Sequence, residues 1–396
     1  MPDACGPLAR LSAAAAARGA AGLRRVLRPR GSEPGRPTDL ASNDYLGLAT
    51  DPRVIGGAVA AARTWGAGAT GSRLVTGSTA LHTTLERALA EFTGAPAALV
   101  FSSGYLANLT AITALAAALG PGTLVVSDAH NHASLIDACR LARARVAVVP
   151  HLDLAAVELA LASRDEPAAL VVTESAFSVG GPLAPLAELH RLTRAHGGLL
   201  LIDEAHALGV AGPGGRGAAW LAGLAAEPDV VRTVTLSKSL GAQGGAVLGH
   251  AEVIGTLVDT GRGFIFDTGL APPAAGAALA ALRLLAACPS LADRARRQAA
   301  RLAEVATGAG LPAVPPGAAI VCVPVGDPGA AIAAQRLCAD HDVRVGCFRP
   351  PSVPPGHSCL RLTARANLAE PGLAAAARAL AAVSEHVRVT TAVGRE

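Results

Sequence analysis

Aromatic residues make up only 3% of the 396-residue sequence, although 51% of it is hydrophobic. Its interior therefore has to be packed mainly from Ala, Leu and Val. The Lys and Arg residues are scattered and the formal net charge is only +4, so the clustered basic stripe of a nucleic-acid surface is absent. The seven cysteines, at positions 5, 139, 288, 322, 338, 347 and 359, show neither a CxxC spacing nor a paired framework. That argues against a zinc or other metal site and against a disulfide scaffold, and fits reduced thiols in a cytoplasmic protein. The longest uncharged run, Leu109 to Val126, is broken by Gly120-Pro121-Gly122 and reads as helix, turn and strand, leaving no membrane span. The alanine-rich stretch from Leu11 to Gly22 contains Arg18 and is followed by Arg24 and Arg25, the wrong order for a signal peptide.

What is present is a regular alternation of short apolar runs with helical segments. Strands are expected at Ala97–Phe101, Thr123–Ser127, Val146–Pro150, Ala168–Thr173, Leu199–Ile202 and Val230–Leu236, with helices between most of them. This rhythm predicts an α/β fold with a mostly parallel central sheet flanked by helices. Before it come a helical segment from about Pro7 to Leu27, a Gly/Pro-rich turn at Pro29–Pro37, and a glycine-dense loop at 66–73. After it come one long helical stretch from about Pro273 to Gly308 and a smaller α+β unit. That unit has strands near Ala319–Val325, Val343–Phe348 and Leu360–Thr363 and a last helix at Pro371–Val387. The expected division is an N-terminal helical segment (1–40), a large α/β domain (41–272), and a connecting helix with a small C-terminal domain (273–396).

Ligands of such sheets bind at the carboxyl ends of the strands. Residues with chemistry cluster there: Ser103-Gly104-Tyr105, His132, Glu174, Asp203, His206 and Lys238. A lysine amine and a carboxylate delivered by neighbouring buried strands suit pyridoxal phosphate, which needs an amine for its Schiff base and an acid opposite its pyridine nitrogen. The Ser-Gly turn between a strand and a helix directs backbone N–H groups at one spot, as a phosphate site requires. An imidazole at His132 can stack on a ring and later serve as a proton donor.

Several stretches carry a family resemblance. They are Ser42-Asn43-Asp44-Tyr45-Leu46-Gly47-Leu48, Gly71-Ser72-Arg73, Ser102-Ser103-Gly104-Tyr105-Leu106-Ala107-Asn108, Asn131-His132-Ala133-Ser134, Thr173-Glu174 and Phe177-Ser178. The series continues with Asp203-Glu204-Ala205-His206, Thr235-Leu236-Ser237-Lys238 and Arg349-Pro350-Pro351-Ser352-Val353-Pro354. From about residue 7 to residue 385 the chain resembles the α-oxoamine synthases, fold-type I pyridoxal-phosphate enzymes that condense an amino acid with an acyl thioester.

The resemblance implies that Lys238 holds the cofactor and moves protons, that Asp203 pairs with the pyridine nitrogen and that His132 stacks on the ring. It further implies His206 and Ser178 at the phenolic oxygen, and Gly104, Tyr105 and Thr235 at the phosphate, with Thr268 reaching there from a second subunit of a homodimer. Asn43 and Arg361 would hold the amino-acid carboxylate, Arg24 would meet the acyl substrate's far carboxylate, and Ser352 would be a further substrate-binding residue. The implied substrates are L-alanine, with glycine or serine as alternatives, and an acyl chain carried by CoA or by a carrier protein. A catalytically silent cofactor-binding module is the non-enzymatic alternative. Two stretches depart from the family: Val179-Gly180-Gly181-Pro182, where an acidic pair is usual, and Phe266-Asp267-Thr268. Asp267 would repel a phosphate unless it points away.

Overall fold

The computed structural model describes residues 6–27, 29, 31 and 37–393. Cys5 and most of the expected 29–37 turn lie outside the described residues. The strands in chain order are β1 (Thr38–Leu40), β2 (Ala97–Phe101), β3 (Thr123–Asp128), β4 (Arg145–Val149), β5 (Ala168–Glu174), β6 (Leu199–Asp203), β7 (Val230–Thr235), β8 (Gly245–Gly249), β9 (Ile320–Gly326), β10 (Val343–Phe348) and β11 (Ser358–Thr363).

The apolar runs of the middle of the chain build a seven-stranded sheet of order β2-β8-β7-β6-β5-β3-β4. Strands β3 to β7 are parallel, and β8 runs antiparallel to both β2 and β7. Strands β5, β6 and β7 are buried almost throughout, because helices cover both faces, and this is why β5 and β6 read as apolar runs that end in an acid. A second sheet of order β1-β10-β11-β9 collects strands from both ends of the chain. One apolar core is continuous between the two sheets, joining Leu124 and Leu200 to Val321, Leu360 and Leu380.

The scarcity of aromatics is met by close helix packing. The helices Pro52–Trp65 and Pro272–Ala287 meet where a Cβ on Gly276 would lie 2.5 Å from the carbonyl oxygen of Gly57. No larger residue fits there without separating the helices.

Three expectations need correction. The stretch 273–308 is two helices, Pro272–Ala287 and Ser290–Gly308, bent by 86° at Cys288-Pro289, where proline cannot continue the first helix. The first helix stops at Ala20, and Gly22 turns the chain with a φ of +66°. Strand β8 was not anticipated: its five residues begin and end in glycine and carry little strand signal of their own. Among the described residues no single helix is long and apolar enough to cross a membrane.

Candidate active site

The carboxyl ends of β5, β6 and β7 open on a cavity of about 250 Å³, lined by Gly104, His132, Glu174, Asp203, His206 and Lys238 among others. The parallel register places Glu174 beside Asp203 and Asp203 beside Thr233, so consecutive strand ends deliver consecutive polar groups.

Asp203 is held in one orientation. Its Oδ1 accepts the Ala205 N–H at 2.7 Å and its Oδ2 accepts Asn108 Nδ2 at 2.7 Å. Asn108 also donates to Ser134 Oγ at 2.9 Å and accepts from Thr233 Oγ1 at 2.6 Å. Ser134 Oγ in turn lies 2.8 Å from His132 Nδ1, so the imidazole and the carboxylate share one buried network.

Lys238 follows β7 after a tight turn and its Nζ lies 2.8 Å from His206 Nε2. Burial pushes the Lys238 amine down to about 8, against the opposing pull of Asp203 and Glu174. Burial likewise drives His206 well below the ordinary imidazole range, helped by the charges of Lys238 and Arg361. Glu174 moves the other way: burial, then the neighbouring Asp203, pushes its carboxyl well above the usual range, and its Oε1 is buried without a hydrogen-bond partner.

The phosphate candidates meet at the start of the helix Gly104–Ala118. Ser103 caps it, with Oγ accepting the Leu106 N–H at 3.1 Å. A Cβ on Gly104 would lie 3.0 Å from Thr235 Cβ, and one on Gly245 would lie 2.5 Å from the Gly104 Cα, so only glycines let β8 and this helix end approach. Tyr105 turns its ring outward and donates to Asp137 Oδ2 at 2.6 Å. Asp267 is engaged by Ser102, whose Oγ donates to its Oδ2 at 2.5 Å.

Arg361, on β11, donates from Nη2 to Asn43 Oδ1 at 2.9 Å and from Nη1 to the Ser178 carbonyl at 2.9 Å, and lies over the Phe348 ring. Ser178 thus joins the site through its backbone. The Gly180-Gly181 turn has φ values of +89° and +120°, a conformation that explains glycines in place of an acidic pair.

Three candidates stand apart from the cavity. Thr268 is exposed and bridged to Ser72, Ser352 is exposed, and Arg24 is exposed in the segment after the first helix. That segment is tied to Arg349, whose Nη1 donates to the Gly22 carbonyl.

The profile of the family described as aminotransferase class I and II matches residues 36–380. An 8-amino-7-oxononanoate synthase of a Mycobacterium species (strain KMS) is 59% identical over 377 residues, covering 95% of this chain and 97% of that one. The chain belongs to the α-oxoamine synthases. A serine palmitoyltransferase from Sphingomonas wittichii aligns with a TM-score of 0.89 at 29% identity, over 98% of this chain and 99% of that one. A high-resolution structure of SPT with PLP aligns with a TM-score of 0.88 at 30% identity, over 97% of this chain and 100% of that one. This α-oxoamine synthase is a PLP-dependent enzyme whose substrates are an amino acid and an acyl thioester.

The cavity fits that cofactor. A buried amine, a carboxylate held by two donors, an imidazole beside it, and a glycine-lined helix start are the donor set a phosphorylated pyridine aldehyde requires. Two residues were quoted in the sequence motifs without a role and prove central: Asn108 orients Asp203, and Tyr45 lies 2.5 Å from His206 Nδ1. Their signal was position alone, an amide side chain on a mostly apolar helix and a tyrosine in a chain with two.

Proposed function

We propose that the protein joins L-alanine to a pimeloyl thioester, carried by CoA or by an acyl carrier protein, and so forms 8-amino-7-oxononanoate in biotin synthesis. The observation that carries this is the meeting of Lys238, Asp203 and His132 in one cavity, with the Asn43–Arg361 pair close enough for its charge to lower the proton affinity of Lys238 and His206. The identity to relatives of that name supports the choice of acyl chain and amino acid.

When bound, pyridoxal phosphate supplies an aldehyde for an amine and a ring that takes up the electron pair left by a departing proton. The chain's residues do the rest. Asn43 and Arg361 hold the amino-acid carboxylate and orient the Cα–H bond. The amine of Lys238, poised near neutrality by burial, removes the Cα proton and returns one after decarboxylation. Asp203, fixed by Asn108 and the Ala205 N–H, stabilises positive charge at the ring nitrogen. His132, tied to Ser134 Oγ at 2.8 Å, would help to hold the ring. Cα then bonds to the thioester carbonyl carbon, the C–S bond breaks, the thiol leaves, and the carboxylate departs as carbon dioxide.

The same reading includes a cytoplasmic homodimer, with Thr268 meeting the phosphate of the partner subunit's site and Arg24 and Ser352 near the acyl chain. It also includes the three-part division of the chain at about residues 40 and 272.

Free-thiol release from pimeloyl-CoA by the cofactor-loaded protein, with L-alanine, glycine or L-serine in parallel, tests the proposal. Alanine-dependent release is expected, and Lys238→Ala falls below about one per cent of the parent rate, because general-base catalysis alone contributes roughly 10²-fold or more. A spectral change with an amino acid but no thiol release would reject the acyl donor, and no spectral change with any amino acid would reject the reading entirely.

A further inference from the structure

The geometry points to Tyr45 as a positioning residue: it is the buried link of a continuous hydrogen-bond relay, Lys238–His206–Tyr45–Asn43–Arg361, through which the carboxylate clamp and the lysine set one another's hydrogen bonds. The inference rests on the reading of Lys238 and Arg361 given above and adds a residue to it.

Each link is within hydrogen-bond distance. Lys238 Nζ lies 2.8 Å from His206 Nε2, His206 Nδ1 lies 2.5 Å from Tyr45 Oη, Tyr45 Oη donates to Asn43 Oδ1 at 3.3 Å, and Arg361 Nη2 donates to the same Oδ1 at 2.9 Å. Tyr45 is fully buried, in the turn that leads from β1 toward the large sheet, and its backbone carbonyl accepts the Ala366 N–H just after β11. The tyrosine therefore stands where the two sheets meet, with its hydroxyl between the groups each sheet contributes.

The proton positions follow from donor and acceptor counting. An ammonium has no lone pair, so Lys238 donates and His206 Nε2 accepts. Burial keeps His206 neutral, which leaves its one N–H on Nδ1, directed at Tyr45 Oη. Tyr45 is held protonated by burial, so its single O–H is free for Asn43 Oδ1, whose second lone pair takes Arg361. Each of the four contacts thus has one donor and one acceptor. When Lys238 gives up its proton, the order reverses: His206 Nε2–H donates to the neutral amine and Tyr45 donates to Nδ1. Asn43 then loses one donor, and its oxygen is held by Arg361 alone. The state of the lysine is thereby written onto the residue that receives the substrate carboxylate. Asp203, Glu174 and His132 face the same line from other elements, and a change at Tyr45 leaves all three in place.

Tyr45→Phe removes the hydroxyl and keeps the ring. His206 Nδ1 then has no acceptor for a proton, the Nε2–H tautomer is favoured, and the neutral amine of Lys238 with it. Two measurements on the full chain read this without the acyl substrate. The first is the pH midpoint of the rate at which pyridoxal phosphate joins the cofactor-free protein, which is expected to fall by about one pH unit, the worth of one buried hydrogen bond. The second is the spectroscopic affinity of the loaded protein for L-alanine, expected to weaken about tenfold as Asn43 loses its partner. A midpoint within about 0.3 pH unit of the parent together with an affinity within about twofold would overturn the relay. If Tyr45→Phe does not fold, the ¹⁵N shifts of His206 in the cofactor-free parent decide, taken well below pH 8 where Lys238 is an ammonium: an Nδ1-protonated ring supports the relay and an Nε2-protonated ring overturns it. Because neither readout needs pimeloyl-CoA, failure of the relay is distinguishable from failure of the acyl-donor reading.

Discussion

Glu174 closes β5 beside Asp203 with one oxygen unpartnered, and its carboxyl is pushed well above the usual range, first by burial and then by that neighbour. The consequence is a proton carried into the fold. The unfolded chain releases it near 4.5, while the folded chain holds it to a much higher pH. Stability linked to this group is therefore complete below 4.5 and is lost as pH rises toward the folded value. Glu174→Gln, which mimics the protonated acid, should flatten that decline. In thermal melts of the cofactor-free protein from pH 5 to pH 9, the variant should gain on the parent as pH rises; parallel curves would show that Glu174 ionises freely in the fold. At this scale the sequence was informative where strand ends carry polar side chains: Lys238, Asp203, His132 and His206 were legible because an apolar run stops at or near each. Tyr45 and Asn108 were not, since nothing local to them shows that their partners lie 161 and 95 residues away.

Between elements, a buried charge pair lies beside the ladder of β6 with β7. Arg232, fully buried on β7, donates to the carbonyls of Thr93 and Ala225 and lies 3.4 Å from Glu204 Oε2, while Glu204 Oε1 accepts the Ala219 N–H. These bonds fasten the two strands whose ends carry Asp203 and Thr233 to the helix that ends at Thr93, the helix Ala218–Leu221 and the turn at Ala225. Arg232→Ala leaves Glu204 buried without its cation and is expected to cost about 3–5 kcal/mol in urea unfolding. Pairing Arg232→Met with Glu204→Leu should recover most of that loss, because the desolvation penalty disappears with both charges. A single variant within about 1 kcal/mol of the parent would show that water reaches the pair. In the sequence Arg232 is merely a charge inside an apolar run, and only the covering of both sheet faces turns it into a structural pin.

For the molecule as a whole, the exposed apolar side chains of one region ask for a cover. Leu74 (51% exposed), Val75 (78%) and Phe266 (69%) lie on the two segments joined by the Ser72–Thr268 bridge, alongside exposed Thr268. Clusters of this kind mark interaction surfaces. We infer a homodimer interface here, with Val75→Glu plus Phe266→Glu expected to yield a monomer by light scattering and to weaken cofactor binding about tenfold or more as a charge-assisted phosphate contact is lost. A parent protein that is monomeric, or a double variant with unchanged assembly and affinity, would reject it.

The amino-acid sequence by itself determined the α/β order of the large sheet, the strand ends that bear chemistry and the cofactor class. These follow from local signals, since apolar periodicity, turn glycines and strand-terminal polar residues are read within a few positions. Only the tertiary structure decided that β8 inserts antiparallel between β2 and β7, that the long C-terminal stretch bends at Pro289, and that Tyr45 links the lysine to the carboxylate clamp. The bend has a local cause in Pro289, but its angle and the other two features depend on groups brought together by the fold, where burial and hydrogen-bond satisfaction select the arrangement.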